Sequence, residues 1–228
     1  MCGKRLLPLL REVQSQLGNI PEIVMQPPVF SAVPNPAHLG QLSHESNDNP
    51  PTFLMSVFRE EVGGLVFSWH APDNVFGAEC KYGYINLLSP QQIISCFQDQ
   101  KVMAEDARRN GFGNDPGWAA VIDDWPHWLP VFRFNTGDCL CVDIGRPAEQ
   151  PIVFLEHDVM DGGPNLHGLR LASSLSDFVQ QWAEAMFVEL RDWTVGCNDV
   201  GLNLRADVFG TMQNKLHEMA EREELGEE

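Results

Sequence analysis

The residues whose types and spacing could do chemistry fall into a few groups. The first is Glu156-His157-Asp158, followed closely by Asp161 and His167. Carboxylates and imidazoles gathered in one stretch could bind a divalent ion or pass protons. Their spacing matches no familiar metal or catalytic motif, and a solvated loop is the plainer account. The second is Cys139-Leu140-Cys141. Side chains alternate along a strand, so both sulfurs would share one face. A zinc site would need two further ligands, and no second closely spaced Cys/His pair exists. Two small apolar residues on a buried strand face are the plainer account of the pair.

Aromatic residues form the third group. Trp118, Trp125, Trp128, Trp182 and Trp193 could stack against bases or sugars. No basic residues are interleaved with them, which argues against a nucleic-acid groove. Trp182 lies on an apolar helical stripe and reads as core, whereas Trp118 and Trp125 fall in a loop that could expose them. His127, between Trp125 and Trp128, reads as a core or edge histidine. Asp123-Asp124 belongs to a diffuse acidic signal that is either a solvated face or a landing site for a cationic protein.

Motifs for nucleophiles and for phosphate binding are missing. The chain contains no GxSxG elbow, no papain-like cysteine context, no GxxxxGK[ST] loop and no GxGxxG turn. The formal net charge is −17, from 32 acidic and 15 basic residues. Such a chain repels nucleic acid and anionic membranes and attracts basic partners, although acidity also simply aids solubility. Six scattered cysteines without a CxxC pair read as reduced thiols in a cytoplasmic protein. The apolar runs are too short to span a bilayer, and Pro8, Arg11 and Glu12 interrupt any signal-peptide core.

The elements that must position these residues follow from periodicity. Leu6, Leu10, Val13 and Leu17 predict a helix over 4–17 that ends at Gly18. Five prolines between 19 and 36 predict an extended linker or arm, followed by a short helix over 36–44. Asn49-Pro50-Pro51-Thr52 opens a helix that Gly63-Gly64 stops, and strands are expected over 65–69 and 80–87 with a loop at 71–77 between them. Ser89-Pro90-Gln91-Gln92 is a capping box for a helix running to about residue 107. Residues 110–126 read as a loop. A hairpin over 130–144 turns at Asn135-Thr136-Gly137-Asp138, and strands over 151–156 and 168–172 follow. Ser174 caps a helix with the stripe Leu175, Phe178, Val179, Trp182 and Met186. A last helix is expected over about 203–222, carrying Leu204, Val208, Met212, Leu216 and Met219, before an acidic tail. This order indicates an α+β domain with a mainly antiparallel central sheet flanked by helices.

In this order of elements the chain resembles the SUKH superfamily of fungal cell-wall-assembly regulators and bacterial immunity proteins. The resemblance rests on Pro50-Pro51-Thr52-Phe53-Leu54 with Gly63-Gly64, on Gly83-Tyr84-Ile85-Asn86-Leu87-Leu88-Ser89, on Trp128-Leu129-Pro130-Val131-Phe132 with Gly137-Asp138 and Asp143, and on Ala172-Ser173-Ser174-Leu175-Ser176-Asp177-Phe178. It covers about residues 37–190. Val62 stands where the family usually has asparagine, and Thr136 where it usually has glycine. The organisation read from it is an N-terminal helix and arm over 1–36, a SUKH-like domain over 37–195, and a helical extension with an acidic tail over 196–228.

The resemblance implies no catalytic residue, no cofactor and no metal. It implies a protein-binding role, in bacteria usually toxin neutralisation. Because a nuclease toxin must grip phosphates it is commonly basic, so an acidic protein would suit it as a partner. The candidate partner-binding residues are Trp118, Asp123, Asp124, Trp125, Glu156, Asp158 and Asp161. Nucleic acid and membrane are not expected partners. The rival readings are an intracellular scaffold of the fungal-regulator type, using the terminal extensions, and a metal-dependent enzyme using the 156–167 loop.

Overall fold

The computed structural model describes residues 5–114, 116–119, 121–157 and 165–225. It shows an α+β fold. Helix α1 (Leu6–Gly18) buries Leu6, Leu9, Leu10, Val13 and Leu17, the stripe its periodicity predicts. Arg5 supplies no side-chain cap, so the carboxylate of Glu61 accepts the free N–H of Leu7 at 2.7 Å. The proline-rich stretch that follows is not a linker. It forms strand β1 (Val24–Ser31), one of the two edge strands of the main sheet. Pro27 and Pro28 sit where the pairing register shifts between Gln26 and Val29, a position that tolerates residues without an N–H. Helices α2 (Pro36–Glu45) and α3 (Thr52–Glu60) then lead to β2 (Gly64–His70). A Cβ on Gly63 would lie 1.9 Å from the Ala32 carbonyl oxygen, so the close approach of the chain just past β1 requires glycine there.

The expected loop at 71–77 contains a single helical turn, α4 (Asp73–Phe76), before β3 (Tyr82–Leu87). Helix α5 (Pro90–Arg109) begins with the anticipated capping box: Ser89 accepts from the Gln92 backbone, and the Gln92 side chain accepts from Ser89. The short helix α6 (Pro116–Ala119) precedes strands β4 (Trp128–Arg133), β5 (Cys139–Asp143), β6 (Ile152–Leu155) and β7 (Arg170–Ala172). Ser174 caps α7 (Leu175–Glu184) by accepting the Asp177 N–H. A two-stranded ribbon that the sequence did not suggest, β8 (Cys197–Asn198) with β9 (Gly201–Leu202), leads to α8 (Gly210–Leu225). This last helix starts later than its apolar spacing predicts. Asn203 takes the Arg205 N–H in a local turn, and a short 3₁₀ turn at Asp207–Phe209 follows. Leu204 and Val208 still pack against the core, so their spacing imitates a helical face without belonging to one.

Among the described residues the main sheet has seven strands, in the order β1 to β7, every pairing antiparallel. Alternation along β5 sends Leu140 and Val142 into the large core and Cys139 and Cys141 into a smaller one on the opposite face, with Ala104, Trp125 and Trp128. Residues from both ends of the chain, including Leu10, Val13, Phe209 and Met212, join the large core.

One seam of the sheet stands open. Strands β3 and β4 share a single paired position, Leu87 with Phe132. Beyond it, residues 187–189 take over the free side of β3: the Tyr84 N–H donates to the Phe187 carbonyl and the Glu189 N–H to the Tyr82 carbonyl, each at 2.9 Å. The chain reaches this position because Met186 and Phe187 adopt left-handed φ of 55° and 54°, which turns it sharply out of α7. Such a conformation costs roughly 1 kcal/mol or more per non-glycine residue. Two buried indoles hold it: Trp69 Nε1 donates to the Met186 carbonyl at 2.6 Å and Trp182 Nε1 to the Val188 carbonyl at 2.7 Å. The Trp69 ring lies directly over Gly83, where a Cβ would stand 2.0 Å from Nε1. Gly83→Ala must therefore displace the indole, and it is expected to cost about 1–3 kcal/mol in chemical denaturation. An unchanged midpoint would show that the Trp69 clasp does not matter.

Candidate binding cleft

The open seam ends in a cleft of about 600 Å³. Tyr82 of β3, Phe134 after β4, Phe154 of β6 and Trp193 form aromatic walls. Phe134 and Phe154 lie 5.9 and 6.0 Å, ring centre to ring centre, from Trp193. Three carboxylates face the same space: Asp138 from the β4–β5 turn, Glu156 after β6, and Glu189 from the clasped segment. Arg191 adds to the wall as an exposed residue, and no ion pair links it to these acids.

The carboxylates differ in how they are held. Asp138 accepts one bond on each oxygen, from the Thr136 hydroxyl at 2.6 Å and the His157 N–H at 2.7 Å. Glu156 accepts the Leu166 N–H at 3.0 Å. Glu189 Oε2 is buried and has no hydrogen-bond partner among the described residues. Burial, and then the charge of Asp138, push the Glu189 carboxyl up to about 7. Burial also raises Glu156, with Asp138 adding to the effect and the Leu166 N–H opposing it. Burial and the Glu189 charge raise the Tyr82 phenol. Desolvated acidic groups are thus crowded together in the cleft, with Arg191 at its wall. No histidine, cysteine, serine or lysine lines the cleft among the described residues.

The residues singled out in the sequence are dispersed. Glu156 lies on the cleft wall. Asp123 pairs with Arg108 at 2.9 Å and Asp124 with Arg146 at 3.1 Å, so their charge is partly answered locally. Trp125, which could have been exposed, is buried at 7% exposure, and Trp118 is half-buried. Both pack around His167, with ring centres 4.4 Å (Trp125) and 4.8 Å (Trp118) away, and Trp128 closes the cage at 5.1 Å. The loop is apolar enough to bury its tryptophans because α5 and the Cys139/Cys141 face of β5 lie beneath it. Asp158 and Asp161 lie outside the described residues. The Glu156 side chain lines the cleft while its main chain meets the buried His167 ring, and among the described residues no group of three His, Cys, Asp or Glu could hold a metal ion. The thiols of Cys139 and Cys141 are driven up by burial, Cys139 to about 12, which leaves them unreactive.

Sequence reasoning missed Asp138, Glu189 and the aromatic walls as a group. Trp193 and the turn at Asp138 were visible singly, but nothing in the sequence places a residue following α7 beside the end of β6. A scan of the chain against models of protein families found no match, and a search of curated proteins found none either.

Two desolvated groups, the half-buried Glu189 and the buried His167, give opposite pH dependence. The folded-state value of Glu189 lies above its ordinary 4.5, so stability is lost as pH rises from there to about 7. Glu189→Gln, which mimics the protonated acid, should match the parent at low pH and melt higher above neutrality. A parent advantage at high pH would contradict the burial argument. His167 is pushed down from 6.5 to about 4 by burial, so the unfolded chain takes up its proton first and stability falls as pH drops through that window. His167→Phe should flatten this acid-side loss in melts followed by tryptophan fluorescence, and an undiminished loss would exclude His167 as its source.

Proposed function

We propose that this chain is a non-catalytic protein-binding module of the SUKH-like, toxin-neutralising kind, and that its partner is a basic protein. The observation that carries the reading is the cleft. Three carboxylates and four aromatic side chains surround it, and Glu189 has an oxygen without a partner. The net charge of −17 supplies the long-range attraction that would steer a cationic protein towards such a surface. A nuclease that grips phosphates through Arg and Lys would present the complementary face. The terminal segments support this reading over a scaffold that binds through them, because α1 spends its apolar face on the core and Phe209 and Met212 are buried.

The test is association with purified basic nuclease toxins, measured kinetically at several salt concentrations. A cognate pair should associate quickly at low salt, and Glu156→Lys with Glu189→Lys should slow association by about tenfold or more. A panel with no complex at low salt, or a complex indifferent to charge reversal, would overturn the reading.

A further inference from the structure

The two edges of the main sheet differ in how they are covered. At β7 the small ribbon packs against the edge: a Cβ on Gly201 of β9 would lie 2.3 Å from the Leu171 carbonyl oxygen. At β1 nothing among the described residues covers the edge. Beyond the pairing with β2, the main chain of Val29–Ser31 gains one further bond there, from the Gly63 N–H to the Ser31 carbonyl, and it too comes from the β2 side. Val29 is 66% exposed, Phe30 50% and Val33 53%. Val29 and Phe30 alternate across the strand, so the edge is apolar on both faces.

Open sheet edges are normally guarded by charge, most often lysine. This edge has no such guard. No Asp, Glu, Lys or Arg occurs from Val24 to His44, from Val62 to Pro72 or from Tyr82 to Gln98. Strands β1, β2 and β3 therefore carry none of these residues, in a chain of net charge −17. The neighbouring sheet face continues the pattern: Val29 lies opposite the exposed Val66, and Val66 opposite Asn86. Proline is what limits the edge. Pro27 and Pro28 precede the stretch and Pro34 follows it, which confines strand addition to a short run.

We infer that β1 pairs antiparallel with β1 of a second copy of this chain, through Val29–Ser31, across a two-fold axis. Three features select the second copy. An edge strand related to itself by a two-fold axis is its own antiparallel complement, so the same main-chain groups meet with the same spacing. The neutrality of β1–β3 lets two like-charged chains meet where neither carries charge, and it gives a charged peptide nothing to pair with. The pairing also closes on itself, because the far edge is taken up by the β8–β9 ribbon, so a dimer forms and not a fibre. Pairing over so few residues covers less than a standard interface, and the dimer is accordingly weak and concentration-dependent. Residues 24–33 do not line the acidic cleft, so this contact is independent of the protein-binding reading.

The test is sedimentation equilibrium of the full chain from about 10 μM to about 1 mM. A monomer–dimer equilibrium is expected that strengthens as salt rises from about 0.05 to about 0.5 M, because salt screens the repulsion between the two acidic chains while the contact itself is neutral. Val29→Lys sets like charges together at the axis and should weaken dimerisation about tenfold or more. Its melting temperature should match the parent, since Val29 is exposed. Val200→Lys adds the same charge in the β8–β9 turn, where Val200 is exposed, and should leave dimerisation within about twofold. Hydrogen exchange at Val29–Ser31 should slow as protein concentration rises. A monomer throughout this range overturns the inference, and so does a dimer on which the two substitutions act alike. Dimerisation that weakens with salt assigns the contact to charged surface and overturns it as well. If exchange at Val29–Ser31 slows only when a basic partner is added, the edge belongs to that partner: the second-copy inference falls and the proposed function stands.

Discussion

Two buried indole hydrogen bonds hold together the part of the molecule on which the rest depends. Trp69 and Trp182 each donate to a main-chain carbonyl in the segment after α7, and with them the chain accepts two consecutive left-handed residues at Met186 and Phe187. Without that clasp the segment has no reason to turn back along β3. With it, residues 187–189 fill the gap where β3 and β4 part, and Glu189 is delivered to the end of the sheet. A buried hydrogen bond contributes about 1 kcal/mol net, but breaking one that leaves a carbonyl buried and unpaired costs more. The clasp is therefore hard to remove piecemeal.

The cleft turns this architecture into an electrostatic one. Hydrogen bonds fix Asp138 and Glu156 in place, while Glu189 is desolvated beside Asp138 with an oxygen unanswered. Retaining such a group costs stability above its titration point, and folds generally keep costly polar groups where function uses them. The aromatic walls help keep water from the cleft, and burial together with the charge of Asp138 raises the Glu189 carboxyl. His167 shows the contrasting use of burial. Enclosed by Trp118, Trp125 and Trp128, it is held neutral in a small second core that supports the other side of β5.

Much of the scaffold was legible in local sequence. The Ser89–Gln92 capping box, the Ser174 cap, the stripe from Leu175 to Trp182 and the hairpin turning near Gly137 all form as their residue types require. These are short-range effects, decided by backbone hydrogen bonding and side-chain periodicity within a few residues. The arm over 19–36 misled because prolines signal a break in most contexts but are compatible with an edge strand, and being at an edge is a property of the whole sheet. The start of the last helix misled because Leu204 and Val208 meet the core from a turn that mimics helical spacing.

The sequence by itself determined the class of fold, the alternation that hides Cys139 and Cys141, and the strongly negative charge. Each follows from composition or from neighbours along the chain. Only the tertiary structure decided that Tyr82, Asp138, Glu156, Glu189 and Trp193 share one cleft, that Asp123 and Asp124 are answered by arginines, and that Trp125 turns inward. The physical reason is that desolvation and charge crowding act through space. A carboxylate after α7 is ordinary until a turn held by two distant tryptophans brings it beside a hairpin about fifty residues earlier in the chain.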